Sequence, residues 1–215
     1  MKIEIWSDLM CPFCYIGKRR FENALSAFAG REDVQVEWKS YLLNPQLKSD
    51  AGKSSTEYLM EVKGWTREQV REANAQVVEM AASEGLHYEL DKTILANTYD
   101  AHRLVQLAKL HGLGAEMEER LFKAYFTEGK NLADSNTLEN LGVEIGLKAV
   151  EIQKMFSENL FEDLVETDIY EAQQIGVRSV PFFVFNDKYA VSGAQPTEVF
   201  AGALEKSLAE WKLQM

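Results

Sequence analysis

The first forty-three residues restrict what this chain can become more than any other stretch. Residues 2–7 alternate in character and are rich in Ile and Trp, which predicts a strand. Cys11-Pro12-Phe13-Cys14 follows, and from Pro12 onward Phe21, Leu25 and Phe28 recur at a helical interval until Gly30 closes the run. Residues 34–43 predict a second strand, with Val34, Val36 and Trp38 on one face and Gln35, Glu37 and Lys39 on the other; Asn44-Pro45 ends it. Strand, helix and strand in this order imply a parallel pair joined by a right-handed crossover.

After this unit the period changes. From about residue 54 to 175 the apolar spacing is helical, with Gly129, Gly146 and Gly176 as punctuation. Thr66-Arg67-Glu68-Gln69 has the form of a capping box, followed by Val70, Ala73, Val77 and Met80 on one face. Ala101, Leu104, Ala108 and His111 mark another helix, stopped by Gly112. Further helical patterns occupy about 115–128, 136–146, 148–157 and 160–175, and no fixed repeat period links them.

Beyond Gly176 the strand signal returns in residues 181–185. Asn186-Asp187 is a turn signal, Tyr189-Ala190-Val191 pairs back as a hairpin, and Pro196 opens a last amphipathic helix through Val199, Phe200, Leu204 and Leu208. The expected fold class is therefore α/β: β-α-β at the start and β-β-α at the end build one layer, from residues 1–50 and 176–215. Residues 51–175 are an all-helical insertion.

Charge narrows the partners. A net charge of −11 disfavours DNA, RNA and anionic lipid surfaces, which attract Lys and Arg, and no basic cluster offsets it. Proteins or small molecules remain as partners; the sequence says nothing about oligomeric state. Glu4 and Asp8 interrupt the apolar run that a signal peptide needs, and no transmembrane stretch is present, so the expected location is the cytoplasm.

Only two cysteines occur, separated by two residues. A structural disulfide framework needs more of them at wider spacing, so this pair points to chemistry. Pro12 suits the first position of a helix, which puts Cys11 at the N-cap. The free N–H groups of the first turn, those of Phe13 and Cys14, are then expected to point at its sulfur and favour a reactive, accessible thiolate. Cys14 lies one turn deeper, close enough to close a disulfide. Such a setting mainly tunes redox poise: two pKa units are about 2.7 kcal/mol, or ~60 mV. A zinc site is disfavoured, because no second Cys-x-x-Cys exists and His87, His102 and His111 are not spaced as a matching pair. No metal or other cofactor is expected beyond the cysteine pair itself.

The segment Ser7-Asp8-Leu9-Met10-Cys11-Pro12-Phe13-Cys14-Tyr15-Ile16-Gly17-Lys18-Arg19-Arg20-Phe21 resembles the opening of DsbA-family thioredoxin-fold oxidoreductases, in particular the cytoplasmic FrnE-like branch. The resemblance continues in Asn97-Thr98, Ala101-His102-Arg103-Leu104 and Ala124-Tyr125-Phe126-Thr127-Glu128-Gly129. It returns in Val180-Pro181-Phe182-Phe183-Val184 and Ser192-Gly193-Ala194-Gln195-Pro196, and so spans almost the whole chain. It implies a thioredoxin-like fold interrupted by the helical insertion, and thiol–disulfide exchange by Cys11 and Cys14 on disulfide- or thiol-containing proteins or small thiols, with glutathione as an eligible co-substrate.

The resemblance further implies a cis Val180–Pro181 bond facing the cysteines, with Val180's backbone open to an extended substrate strand. Pro12 and Phe13 separate the two thiols, and Phe13 brings no charge. Met10 and Phe13 are expected to form an apolar rim, and His102 is a candidate neighbour from the helical block. Kappa-type glutathione transferases and hydroxychromene-carboxylate isomerases share this architecture and offer an alternative function. They use a single nucleophile position, commonly serine, and need no resolving thiol such as Cys14.

Overall fold

The structure is a computed structural model and describes residues 1–213. In chain order its elements are β1 (Lys2–Ser7), α1 (Pro12–Ala27), β2 (Gln35–Ser40), β3 (Asp50–Ser54), α2 (Ser55–Lys63), α3 (Arg67–Ser83), β4 (Ile94–Leu95), α4 (Tyr99–Leu110) and α5 (Gly114–Phe126). They continue with α6 (Ser135–Glu144), α7 (Ala149–Ser157), α8 (Glu162–Gln174), β5 (Phe182–Phe185), β6 (Tyr189–Ser192) and α9 (Thr197–Lys212). Two compact units divide the chain: residues 1–43 with the chain from Glu166 onward, and Asn44–Val165.

The first unit is a four-stranded sheet in the order β2-β1-β5-β6. The expected parallel pair is present, with Ile3 opposite Val36 and Ser7 opposite Ser40. β5 runs antiparallel to β1, placing Ile5 opposite Phe183, and the β5–β6 hairpin turns at Asn186 and Asp187, both with positive φ. Ile3, Ile5, Phe183 and Phe185 are fully buried on one sheet face, where Phe21 of α1 and Phe200 of α9 join them. The ring centroids of Phe183 and Phe200 lie 4.6 Å apart, and those of Phe21 and Phe183 5.5 Å. Each such side chain contributes roughly 1.5–3 kcal/mol by leaving water.

α1 approaches the sheet closely at one glycine. A β-carbon on Gly17 would sit 2.8 Å from Cγ of Pro181 and 3.5 Å from the Phe183 ring. A proline ring carbon is held by its backbone, so there is little room for relief.

The other face of β2 departs from expectation. Lys39, assigned by alternation to a polar face, is only 8% exposed. Its ammonium lies 2.8 Å from Glu171 and 3.1 Å from Asp168, both on α8, and 3.7 Å from Glu4 on β1. Asp168 also accepts from the Ser40 N–H at 2.9 Å, and its carbonyl accepts from Trp6 Nε1 at 2.8 Å. These bonds explain why the second unit boundary falls at Glu166 and not at 176: the later part of α8 belongs with the sheet. The first boundary likewise falls at Leu43, ahead of residue 50.

The second unit is built mainly of helices, with α4 to α7 following the expected segments. It departs from an all-helical plan in one place, where β3 and β4 form a short antiparallel pair. Asp50-Ala51-Gly52-Lys53-Ser54 has no strand-like pattern, and pairing with β4 is what makes it extended. The capping box at Thr66 and Gln69 is present, and a second one, at Ser54 and Glu57, starts α2. Within this unit the buried Arg103 donates to Asp100 at 2.7 Å and to the Leu160 carbonyl at 2.8 Å. Among the described residues no helix is long and apolar enough to cross a membrane.

Two outcomes follow. Burial works against the Lys39 charge, but the hydrogen bond it donates to Glu171 and the charge of Asp168 outweigh it and hold the ammonium well above the ordinary lysine range. A raised folded value means that the stabilisation is complete below the ordinary lysine pKa and is lost only as pH climbs through the folded one. Lys39→Met, which strands Asp168 without its counter-ion, is expected to cost roughly 3 kcal/mol or more in urea unfolding, equally at pH 6 and pH 8. Gly17→Ala is expected to cost about 1–3 kcal/mol by the same measurement, through overpacking against Pro181; an unchanged urea midpoint would contradict the close approach.

Candidate active site

The sharp entry into α1 creates the site. Ser7 ends β1, and Asp8 turns the chain: its Oδ1 accepts from the Met10 N–H at 3.1 Å, an Asx-type turn, and its carbonyl accepts from the Cys11 N–H at 2.9 Å. Oδ2 of the same fully buried carboxylate accepts from the Leu43 N–H at 2.7 Å, tying the loop to the chain just beyond β2. Pro12 then occupies the first turn of the helix, and Cys11 takes the N-cap with extended backbone, φ −90° and ψ 111°.

Both cysteines are free thiols. Cys14 is fully buried and Cys11 is 5% exposed. The Cys11 sulfur is therefore less open than the sequence suggests. It also lacks the expected capping bonds: among the described residues none donates a capping hydrogen bond to it. Its Sγ lies 3.6 Å from the Val180 carbonyl oxygen and, as a thiol, donates to it. The reason is chemical. A thiol is a hydrogen-bond donor, and here it turns to a backbone acceptor.

Cys14 differs. Burial pushes its thiol well up, and the adjacent Cys11 sulfur adds to the effect, against smaller opposing contributions from the Asp8 N–H and the Ser7 hydroxyl. Cys14 is thus a sulfur held in its protonated form.

Opposite the cysteines stands the segment before β5. Val180–Pro181 is cis, and Val180 is 7% exposed. The Pro181 carbonyl accepts from the Gly193 N–H at 2.8 Å, and Arg20 of α1 donates to the Ala194 carbonyl at 2.7 Å. The loop after β6 thereby braces Pro181 against the same helix that carries the thiols. Phe13 is 41% exposed and Met10 is half-buried, beside the cysteines in sequence.

Cys11, Pro12, Phe13, Cys14, Met10, Val180 and Pro181 thus all fall within the first unit. His102 lies in the second unit, on α4, with its side chain fully buried. Among the described residues no three His, Cys, Asp or Glu side chains gather as metal ligands. Asp8, Gly17 and Arg20 lie within the Ser7–Phe21 motif, whose resemblance assigns them no part in the fold. The Asp8 turn was legible from an aspartate two residues before a loop N–H, but nothing local marked Gly17 or Arg20, whose partners lie more than 150 residues away.

Comparison with known proteins places this geometry. The model of the DSBA-like thioredoxin domain matches residues 2–205. A crystal structure of a probable DsbA oxidoreductase, SCO1869 from Streptomyces coelicolor, superposes with a TM-score of 0.93 at 37% identity, covering 98% of this chain and 91% of that one. The cytosolic disulfide reductase DsbM from Pseudomonas aeruginosa, solved with GSH, shares the fold at a TM-score of 0.68 and 19% identity, over 97% of this chain and 100% of that one. The protein YwbO of Bacillus subtilis, itself uncharacterised, is 27% identical over 94% of both chains. With its two thiols at the start of α1, the chain belongs to the DSBA-like thioredoxin domain family.

Proposed function

We propose that this protein catalyses thiol–disulfide exchange through Cys11 and Cys14 by way of a mixed disulfide. One observation carries the reading. The chain's two cysteines are both free thiols, one at the N-cap of α1 and the other a turn deeper and fully buried. In the reduced protein Cys11 attacks a substrate disulfide and Cys14 resolves the adduct; in the oxidised protein the steps reverse. Membership of the DSBA-like family supports this chemistry.

The remaining assignments extend the proposal. Substrates are disulfide- or thiol-containing proteins or small thiols, with glutathione as a co-substrate; the similar fold of DsbM, solved with GSH, supports that choice. An extended substrate segment pairs with the Val180 backbone, while Met10 and the exposed Phe13 offer apolar contact. No cofactor beyond the thiol pair is invoked. We place the protein in the cytoplasm and in the FrnE-like branch, on the motif around residues 7–21. Direction is set by the reduction potential of the pair against the surrounding thiol pool.

The competing reading is glutathione-dependent isomerisation or transfer of the hydroxychromene-carboxylate or kappa type. Cys14 weighs against it, because orienting one glutathione thiol requires no buried second sulfur.

Cys11→Ser is expected to abolish turnover of model disulfides. Cys14→Ser is expected to reduce turnover at least a hundredfold while accumulating a mixed disulfide at Cys11, visible by intact-protein mass spectrometry. Undiminished glutathione-dependent isomerisation in Cys14→Ser, with no trapped adduct, would transfer the assignment to the competing class.

A further inference from the structure

Ahead of β5 the ladder to β6 runs one rung further than the strands themselves. β5 and β6 pair from Phe185 opposite Tyr189 to Phe182 opposite Ser192. One residue beyond, the Gly193 N–H donates to the Pro181 carbonyl at 2.8 Å. Proline has no N–H to return, so its carbonyl is the only backbone handle it offers on this side. Whatever fixes Gly193 therefore fixes Pro181, and with it the adjoining Val180.

Gly193 is held by its own turn and by α1. Its φ of 80° lies in the left-handed region that glycine enters without strain. The Gln195 N–H donates to the Gly193 carbonyl at 2.9 Å, and the Gln195 side-chain amide donates to the Ser192 carbonyl at 2.9 Å. Ala194, between them, rests on the helix. Its Cα lies 3.5 Å from where a β-carbon on Gly17 would sit, and its carbonyl accepts from Arg20 Nη1 at 2.7 Å. Gly17 and Arg20 are three residues apart and so share one helix face. A charged donor makes the stronger class of hydrogen bond.

These contacts form a ring that closes on the thiols. Cys11, at the tip of α1, lies 3.6 Å from the Val180 carbonyl, and Arg20, more than two turns along the same helix, holds the loop that holds Pro181.

Resting on the exchange reading above, we propose that Arg20 is a positioning residue: its bond to the Ala194 carbonyl fixes the Val180–Pro181 backbone where an extended polypeptide disulfide docks. The site is thereby adapted to polypeptide disulfides over small ones. A polypeptide segment that pairs with Val180 gives up its own freedom, and an edge already fixed adds no second ordering cost. A small disulfide meets Cys11 with little beyond its two sulfurs and gains nothing from that edge. Arg20 acts on docking and takes no part in the exchange of sulfurs.

A positioning role and a merely structural one predict different kinetics. Reduced protein mixed with excess disulfide gives, in a single turnover, a half-saturating concentration and a limiting rate. The polypeptide probe is a short cysteine-containing peptide disulfide-linked to a second copy of itself, and the small probe is dithio-bis-nitrobenzoate. In Arg20→Met the half-saturating concentration for the peptide is expected to rise about tenfold, with a limiting rate within about twofold of wild type. The rate with the small probe is expected to stay within about twofold. Arg20→Lys keeps the charge but loses the planar fork, so a rise of only about threefold is expected for the peptide. This variant carries the same comparison if the methionine variant does not fold.

An unchanged half-saturating concentration in every variant that folds, or equal slowing with both probes, would overturn the role of Arg20 and leave the exchange chemistry in place. Wild-type protein that reduces the small probe but shows no saturation with the peptide would do the same. Wild-type protein that reduces neither probe would overturn the exchange reading itself.

Discussion

The position of α1 on the sheet is the contact from which the rest of the site follows. Phe21, near the middle of that helix, packs among Phe183 of β5 and Phe200 of α9, and Gly17 one turn earlier lets the helix close onto Pro181. With those two points fixed, the N-terminus of the helix can only emerge beside residues 180 and 181. The contact between the Cys11 sulfur and the Val180 carbonyl is a consequence of hydrophobic packing a turn and more away.

Two buried carboxylates hold the frame on either side of this packing. Asp8 spans from the Met10 N–H to the Leu43 N–H, so one side chain sets both the entry to α1 and the exit from β2. Asp168 does similar work on the opposite face, bonding Ser40 and pairing with Lys39. Each satisfies backbone donors that a turn or a strand end would otherwise leave without partners in a water-poor interior. Within this frame the two sulfurs become unequal. Cys14 sits fully inside, where ionisation is opposed, while Cys11 sits at the helix tip with a carbonyl as its partner. In the exchange proposed above, the deeper sulfur suits the resolving role, with no charged residue between the two.

Much of this was readable from local pattern. The strand at residues 2–7, the helix from Pro12, the parallel partner and the terminal hairpin with its closing helix all carry periodicities that residues a few positions apart define. The helical segments of the insertion carry the same kind of signal. Lys39 shows where such reading ends. Alternation correctly put it opposite Trp38, but whether that face meets water or α8 depends on chain more than a hundred residues later. The unit boundaries at Leu43 and Glu166 depend on contacts of the same kind, and the β3–β4 pair leaves no local mark because pairing, not propensity, extends it.

By itself, then, the sequence determined the kinds of elements, their order, and the Cys-Pro-Phe-Cys spacing at a helix start, since all of these depend on short-range sterics and hydrogen bonding. Only the tertiary structure decided that Cys11 is nearly closed to solvent and that its partner is a carbonyl from residue 180. Those outcomes depend on which distant side chains exclude water from a given atom, and no local pattern in the chain records that.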